Sequence, residues 1–220
     1  MCGAAQAALL DLSGFASGDI VAGQGQGQDV QNLAGVNIQI VNTSGGPAPN
    51  DALIALDTGG AIPLDPDLEA PLTGVGASAG QVIGVAEAPV VFAFALGPCD
   101  FIAQTCPAAD GTASAVANAI FTFDEQVIIN RILLIDLGMN DLTLSWAGGS
   151  LSGPSVSEED NFFEWIAVNS GPVSSFTIDL QGSGAFLLDV TEVPVPAALP
   201  LFATSIAGLG FSMRRRRKAA

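Results

Sequence analysis

Apolar and polar residues alternate with a period of two over several short stretches of this chain. Residues 141–146 and 175–180 show the pattern clearly, because every second side chain in them is apolar. Such a period places alternate side chains on opposite faces, so each stretch predicts a half-buried β-strand. Residues 35–41 alternate in the same way, and apolar segments bounded by turn residues are further candidates. The predicted strands are 35–41, 52–57, 81–85, 89–96, 119–123, 126–136, 141–146, 175–180 and 184–190.

Turn-forming residues separate these stretches. Gly, Pro, Asn and Asp cluster at 42–50, 59–60, 97–98, 148–149 and 171–172, and Asp124-Glu125 predicts a further turn. The Gly-Gln repeat at 23–28 lacks the Lys of a phosphate-binding loop and predicts a flexible loop. With no amphipathic helix pattern, the chain is expected to be all-β: a single antiparallel β-sandwich, jelly-roll-like, over residues 8–192.

A different pattern occupies the C-terminal end. Residues 195–213 contain no charged side chain. As a helix they would extend about 29 Å, close to the roughly 30 Å hydrocarbon core of a bilayer. The cations that follow would stop transfer and stay on the cytoplasmic side. This predicts one transmembrane helix; the alternative is a buried core helix, which seldom ends in five consecutive cations. The stop-transfer cations are Arg214, Arg215, Arg216, Arg217 and Lys218.

The same tail resembles the PEP-CTERM protein-sorting signals in their VPxPA variant. It has the proline motif, an apolar segment with Gly-Leu-Gly at 208–210, and the arginine-rich end, in that order. Val195 stands where the commonest form of the variant has Leu. The motif residues are Val193, Pro194, Val195, Pro196 and Ala197.

This resemblance implies processing by an exosortase, a membrane transpeptidase-like protease of Gram-negative bacteria that cuts near the proline motif. The protein would be exported, anchored transiently in the inner membrane, and then placed at the cell surface or in the extracellular matrix. The analogy extends to a link with biofilm or extracellular polysaccharide. Residues 193–220 would thus be the sorting signal.

Residues 8–192 carry a second resemblance, to exported bacterial β-sandwich surface proteins with such anchors. It involves residues 55–58, 65–68, 121–124 and 182–185. It implies no enzymatic activity.

An exported protein needs a signal at its other end. Ala5-Gln6-Ala7 has the small-x-small form of a signal-peptidase site. Residues 1–7 are therefore expected to be the remnant of a signal peptide, with roughly 15–20 further residues encoded upstream.

Charge excludes several functions. The chain has 22 acidic and 6 basic residues, and Arg131 is the one cation before residue 214. So acidic a surface does not bind nucleic acid through phosphate contacts. Without His, the Ser-His and Cys-His nucleophile pairs are excluded. Glycoside hydrolysis by a pair of carboxylates is the catalytic alternative that remains, but we expect that the protein is not an enzyme.

Cys99 and Cys106 are predicted to form a disulfide that closes a small loop, because cysteine pairs of exported proteins are oxidised outside the cytoplasm. A metal or redox pair would favour closer spacing, and a metal site would also favour His. Cys2 falls in the signal remnant.

Carboxylates concentrate in one loop and suggest a Ca²⁺ site, because alternate residues of an extended segment point the same way. The alternative is a solvated loop with Asp-Pro turns. Phe162, Phe163 and Trp165 are expected in the core rather than as a sugar-stacking platform. A carbohydrate- or calcium-binding surface module is nevertheless the alternative function. The candidate Ca²⁺ ligands are Asp57, Asp65, Asp67 and Glu69.

Overall fold

The computed structural model describes residues 10–42, 51–62, 68–95, 99–107, 117–137, 141–153, 161–181 and 184–193. These residues form thirteen strands and two single-turn 3₁₀ helices, Gly76–Ser78 and Val85–Glu87, which confirms the all-β prediction. Over these ranges no helix has the length and apolar character needed to cross a membrane. The strands are β1 (Ile20–Gly25), β2 (Gln28–Gln31), β3 (Val36–Asn42), β4 (Asp51–Asp57), β5 (Leu72–Gly74), β6 (Val82–Ile83), β7 (Val90–Phe94), β8 (Ala117–Ile135), β9 (Leu142–Trp146), β10 (Gly149–Ser152), β11 (Phe162–Ala167), β12 (Pro172–Leu180) and β13 (Ala185–Glu192).

The long strand β8 organises the sheet. Its first half pairs with β3 on one side and β12 on the other, while its second half pairs with β11 and β13. Two arms therefore share one strand. The short arm runs β3-β8-β12-β9-β10, and the long arm runs β6-β5-β11-β8-β13-β7-β4-β1-β2.

One strand pair is parallel. Phe162 and Phe163 of β11 lie beside Thr73 and Gly74 of β5 in the same direction, while the other described pairs are antiparallel. The prediction of a purely antiparallel sheet is wrong at this point. The long chain segment between β5 and β11 provides the crossover that a parallel pair requires.

Aromatic rings from the two arms meet in an inner core. The ring centroid of Phe92 in β7 lies 5.8 Å from that of Phe121 in β8, edge to face. Phe121 in turn stacks on Phe176 of β12 at 4.6 Å. Ile38 of β3 and Phe186 of β13 are buried in the same cluster. The arms are thus packed face to face through apolar side chains.

The long arm is also covered on its outer face. Ile54, Leu56 and Val91 pack there against Phe101 of the segment that follows β7. Because both faces are buried, the side chains from Ala52 to Leu56 are each at most 1% exposed. This explains why β4 is an uninterrupted apolar run rather than an alternating one.

Two predicted loops are strands instead. The Gly-Gln repeat forms the end of β1, a tight turn at Gln26 and Gly27, and the start of β2. Both turn residues have positive φ, 52° and 76°, as a two-residue type I′ hairpin turn requires. The predicted turn at Asp124-Glu125 lies within β8, where the strand passes from one arm to the other.

Candidate functional site

A cleft opens where the edges of the two arms meet. Strand β2 ends the long arm and β3 ends the short arm; within the described ranges neither pairs on its other side. The cleft between them has a volume of about 260 Å³. Its exposed polar lining is Gln24, Asp29, Gln31, Asn37 and Gln39, with Gly23, Ile38 and Ile40 behind it.

The side chain of Gln31 joins the two arms at this cleft. Its Nε2 donates to the carbonyl oxygen of Ile38 at 2.7 Å, and its Oε1 accepts from the backbone N–H of Ile38 at 2.9 Å. A carboxamide can make both bonds because it carries a donor and an acceptor. Gln31 thus replaces a strand partner along this part of the edge of β3.

A disulfide-closed hairpin lies against the start of β1. Cys99 and Cys106, the pair expected from their spacing, form a disulfide. Between them Asp100 and Thr105 exchange two backbone hydrogen bonds of 2.8 and 3.0 Å. Phe101 is 1% exposed and supports the outer core, while Ile102 at the tip is 78% exposed.

The acidic loop is only partly described. The Oδ1 of Asp57 accepts from the backbone N–H of Gly59 at 3.0 Å, and the Oε1 of Glu69 accepts from that of Ile62 at 2.5 Å. Both carboxylates therefore hold the loop backbone. Asp65 and Asp67 lie outside the described residues, and within those residues no three potential ligands form a group that could bind a metal. The Ca²⁺ site stays a prediction.

The three candidate aromatics occupy different positions. Phe163 is 2% exposed in the outer core, whereas Phe162 and Trp165 are half-buried. The guanidinium of Arg131 covers the Trp165 ring, with its Cζ 4.2 Å from the ring centroid. The same guanidinium donates through Nε to Oδ2 of Asp189 at 2.9 Å. Arg131 therefore covers one face of the Trp165 ring, and that face is closed to a stacking sugar.

The predicted sorting motif adjoins the last strand. Strand β13 ends at Glu192, and the backbone N–H of Val193 donates to the carbonyl oxygen of Gln126 at 2.8 Å. Pro194, Val195, Pro196 and Ala197 lie outside the described residues, as do the cations at 214–218. The motif thus begins within one residue of the folded sheet.

No family model, curated protein or solved structure matches this chain.

The cleft is the site that sequence reasoning missed. Its residues come from three strands, and the strand pairing connects the two edges only through the shared strand β8. One signal for it was present: Asn37 and Gln39 lie two residues apart, as polar side chains on one face of a strand do. The pattern does not say which strand lies opposite.

Proposed function

We propose that this chain is an exported surface or extracellular-matrix protein of a Gram-negative bacterium, without enzymatic activity. A helix within residues 193–220 holds it in the inner membrane until an exosortase cuts near Val193–Pro196. The observation that carries the proposal is the three-part tail: proline motif, uncharged 195–213 segment and five cations. The packing of the two arms is in keeping with the jelly-roll-like β-sandwich expected for such an ectodomain.

The position of the motif supports this processing. Strand β13 ends at Glu192, so a cut at 193–197 removes none of the thirteen described strands. The released domain would keep its inner core. The disulfide between Cys99 and Cys106 suits an oxidising, extracytoplasmic compartment.

Intact-mass analysis of the mature protein tests the proposal. The chain is produced with an export signal in a host that contains an exosortase and in the same host lacking it. Loss of the segment after the 193–197 motif is expected only when the exosortase is present. The double change Pro194→Gly with Pro196→Gly should leave the tail attached, whereas Val195→Leu, which restores the commoner motif, should be processed normally.

Two results would contradict it. A wild-type mass that includes residues 193–220 would exclude processing, and tail loss in the host without an exosortase would exclude that enzyme as the agent. The same spectra, taken before and after reduction, report whether the Cys99–Cys106 disulfide is present in the exported protein.

A second candidate function is ligand binding at the cell surface, to carbohydrate or to calcium. The specific observation that favours carbohydrate is the amide-lined cleft between β2 and β3. Calorimetric titration with Ca²⁺ tests the other ligand. Heat of binding in the wild type that is lost in Asp65→Asn and Asp67→Asn would favour calcium binding. The absence of any heat in the wild type would exclude calcium as the ligand.

A further inference from the structure

We propose that the cleft between β2 and β3 binds one unit of an uncharged, hydroxyl-rich glycan. This inference rests on the ligand-binding candidate function and does not depend on how the tail is processed. It is argued from the orientation of the cleft residues, their hydrogen-bonding capacity, and the charge around them.

The inner face of the long arm becomes polar at the cleft. In the pairing of β1 with β2, Ala22 lies opposite Gln31 and Gln24 lies opposite Asp29, so these four side chains share one face. Ala22 belongs to the inner core, but Gln24, Asp29 and Gln31 are exposed. The face that packs against the short arm elsewhere is therefore open to water here.

The cleft presents both donors and acceptors. Within the described residues, the side chains of Gln24, Asn37 and Gln39 make no hydrogen bond to another residue. Each carboxamide offers an oxygen acceptor and two N–H donors. A sugar hydroxyl also donates and accepts, so a carboxamide can pair with two neighbouring hydroxyls.

Backbone groups of β3 add to this surface. The N–H and C=O of Ile38 point toward Gln31, away from β8. Because backbone direction alternates along a strand, the N–H and C=O of Ile40 point to the same edge. Within the described residues this edge has no strand partner. A ligand in the cleft can therefore hydrogen-bond to main chain as well as to side chains.

The negative charge of the protein distinguishes neutral from acidic glycans. Among the described residues that line the cleft, Asp29 alone is charged, and it is a carboxylate. Around it, residues 1–213 carry 22 carboxylates and the single cation Arg131. An acidic polysaccharide would be repelled by this field, whereas a neutral one is unaffected. The geometry points to a neutral ligand.

Volume and lining limit the affinity. Pockets for drug-sized ligands span roughly 300–1,000 Å³, so 260 Å³ suits a single sugar unit of a longer chain. The part of the lining that the structure describes contains no aromatic ring for stacking. We therefore expect a dissociation constant on the order of 1 mM per site, with retention on a polymer raised when many copies are displayed together.

Chemical-shift titration of the ¹⁵N-labelled full chain in detergent micelles measures so weak an interaction. The neutral probes are maltohexaose, cellohexaose and laminarihexaose, and the acidic probe is an alginate hexamer. At least one neutral probe is expected to shift the carboxamide signals of Gln24, Asn37 and Gln39, with little effect of the alginate. The double change Gln24→Ala with Gln39→Ala should weaken binding roughly tenfold.

The matched control is Gln81→Ala, which removes an exposed amide away from the cleft and should bind like the wild type. The inference is overturned if no neutral probe shifts these signals, if alginate binds as tightly, or if the double variant binds unchanged. Because the titration uses the unprocessed chain, its failure would not bear on the tail, and failure of tail processing would not bear on it.

Discussion

The absence of a side chain at Gly25 leaves room for the ring of Phe101 in the disulfide-closed hairpin. A Cβ atom built on Gly25 would lie 2.3 Å from Cε2 of Phe101, well inside van der Waals contact. The ring of Phe101 therefore occupies the space beside β1, and its burial seats the disulfide-closed hairpin on the long arm. The sequence predicts the disulfide from cysteine spacing, but this contact joins residues 76 positions apart and has no local signal.

Gly25→Ala should consequently destabilise the fold. Forcing a methyl group into a packed contact costs about 1–3 kcal/mol, and the Phe101 ring is itself buried in the outer core. Chemical denaturation would measure the change in the free energy of unfolding. The matched control is Gly14→Ala, because a Cβ there meets nothing within 4 Å. Equal midpoints for the two variants would show that Phe101 moves aside freely.

At the scale of strands, the local pattern is a good guide both where it alternates, as in β3 and β9, and where it is a continuous apolar run, as in β4. The ends of strands β3, β4, β9 and β13 all lie within two residues of the predicted ends. Strands β1 and β2 were missed because their Gly-Gln repeat has no apolar alternation. Strand β8 was split in two because Asp124, Glu125 and Gln126 are all exposed where it changes arms. The cleft could not be foreseen, since it depends on which strand edges meet.

Substitution of Gln31 measures how much the contact between strands β2 and β3 contributes to the free energy of unfolding. Gln31→Ala removes two hydrogen bonds to Ile38 and leaves that N–H and C=O to water. We expect a loss of about 1–2 kcal/mol in the free energy of unfolding. Hydrogen exchange at the amide of Ile38 should also become faster. Gln28→Ala, at the exposed start of β2, is the control; identical exchange in both variants would mean that Gln31 does not protect the β3 edge.

At the scale of the whole molecule, we expect the two arms to unfold together because they share strand β8. Neither arm can lose β8 without breaking the ladder of the other. The two tryptophans of the chain report on the arms separately, since Trp146 lies in β9 of the short arm and Trp165 in β11 of the long arm.

Variants with a single tryptophan can measure whether the two arms unfold together. In Trp165→Phe the emission reports on the short arm, and in Trp146→Phe it reports on the long arm. Within each variant, the fluorescence transition should coincide with that of far-ultraviolet circular dichroism in a denaturant titration. Fluorescence transitions separated from the circular dichroism transition would indicate that one arm unfolds first, and that β8 does not couple them.

The interior position of β13 has a mechanical consequence. This strand ends next to the proposed sorting motif, yet it lies between β8 and β7 and not at an edge of the sheet. A pull applied at Val193 along the strand direction would have to shear its ladder with β8, which spans Ala185 to Glu192. A tether on an edge strand could instead peel it away one hydrogen bond at a time. Tension at the C-terminal end is thus resisted by the centre of the long arm.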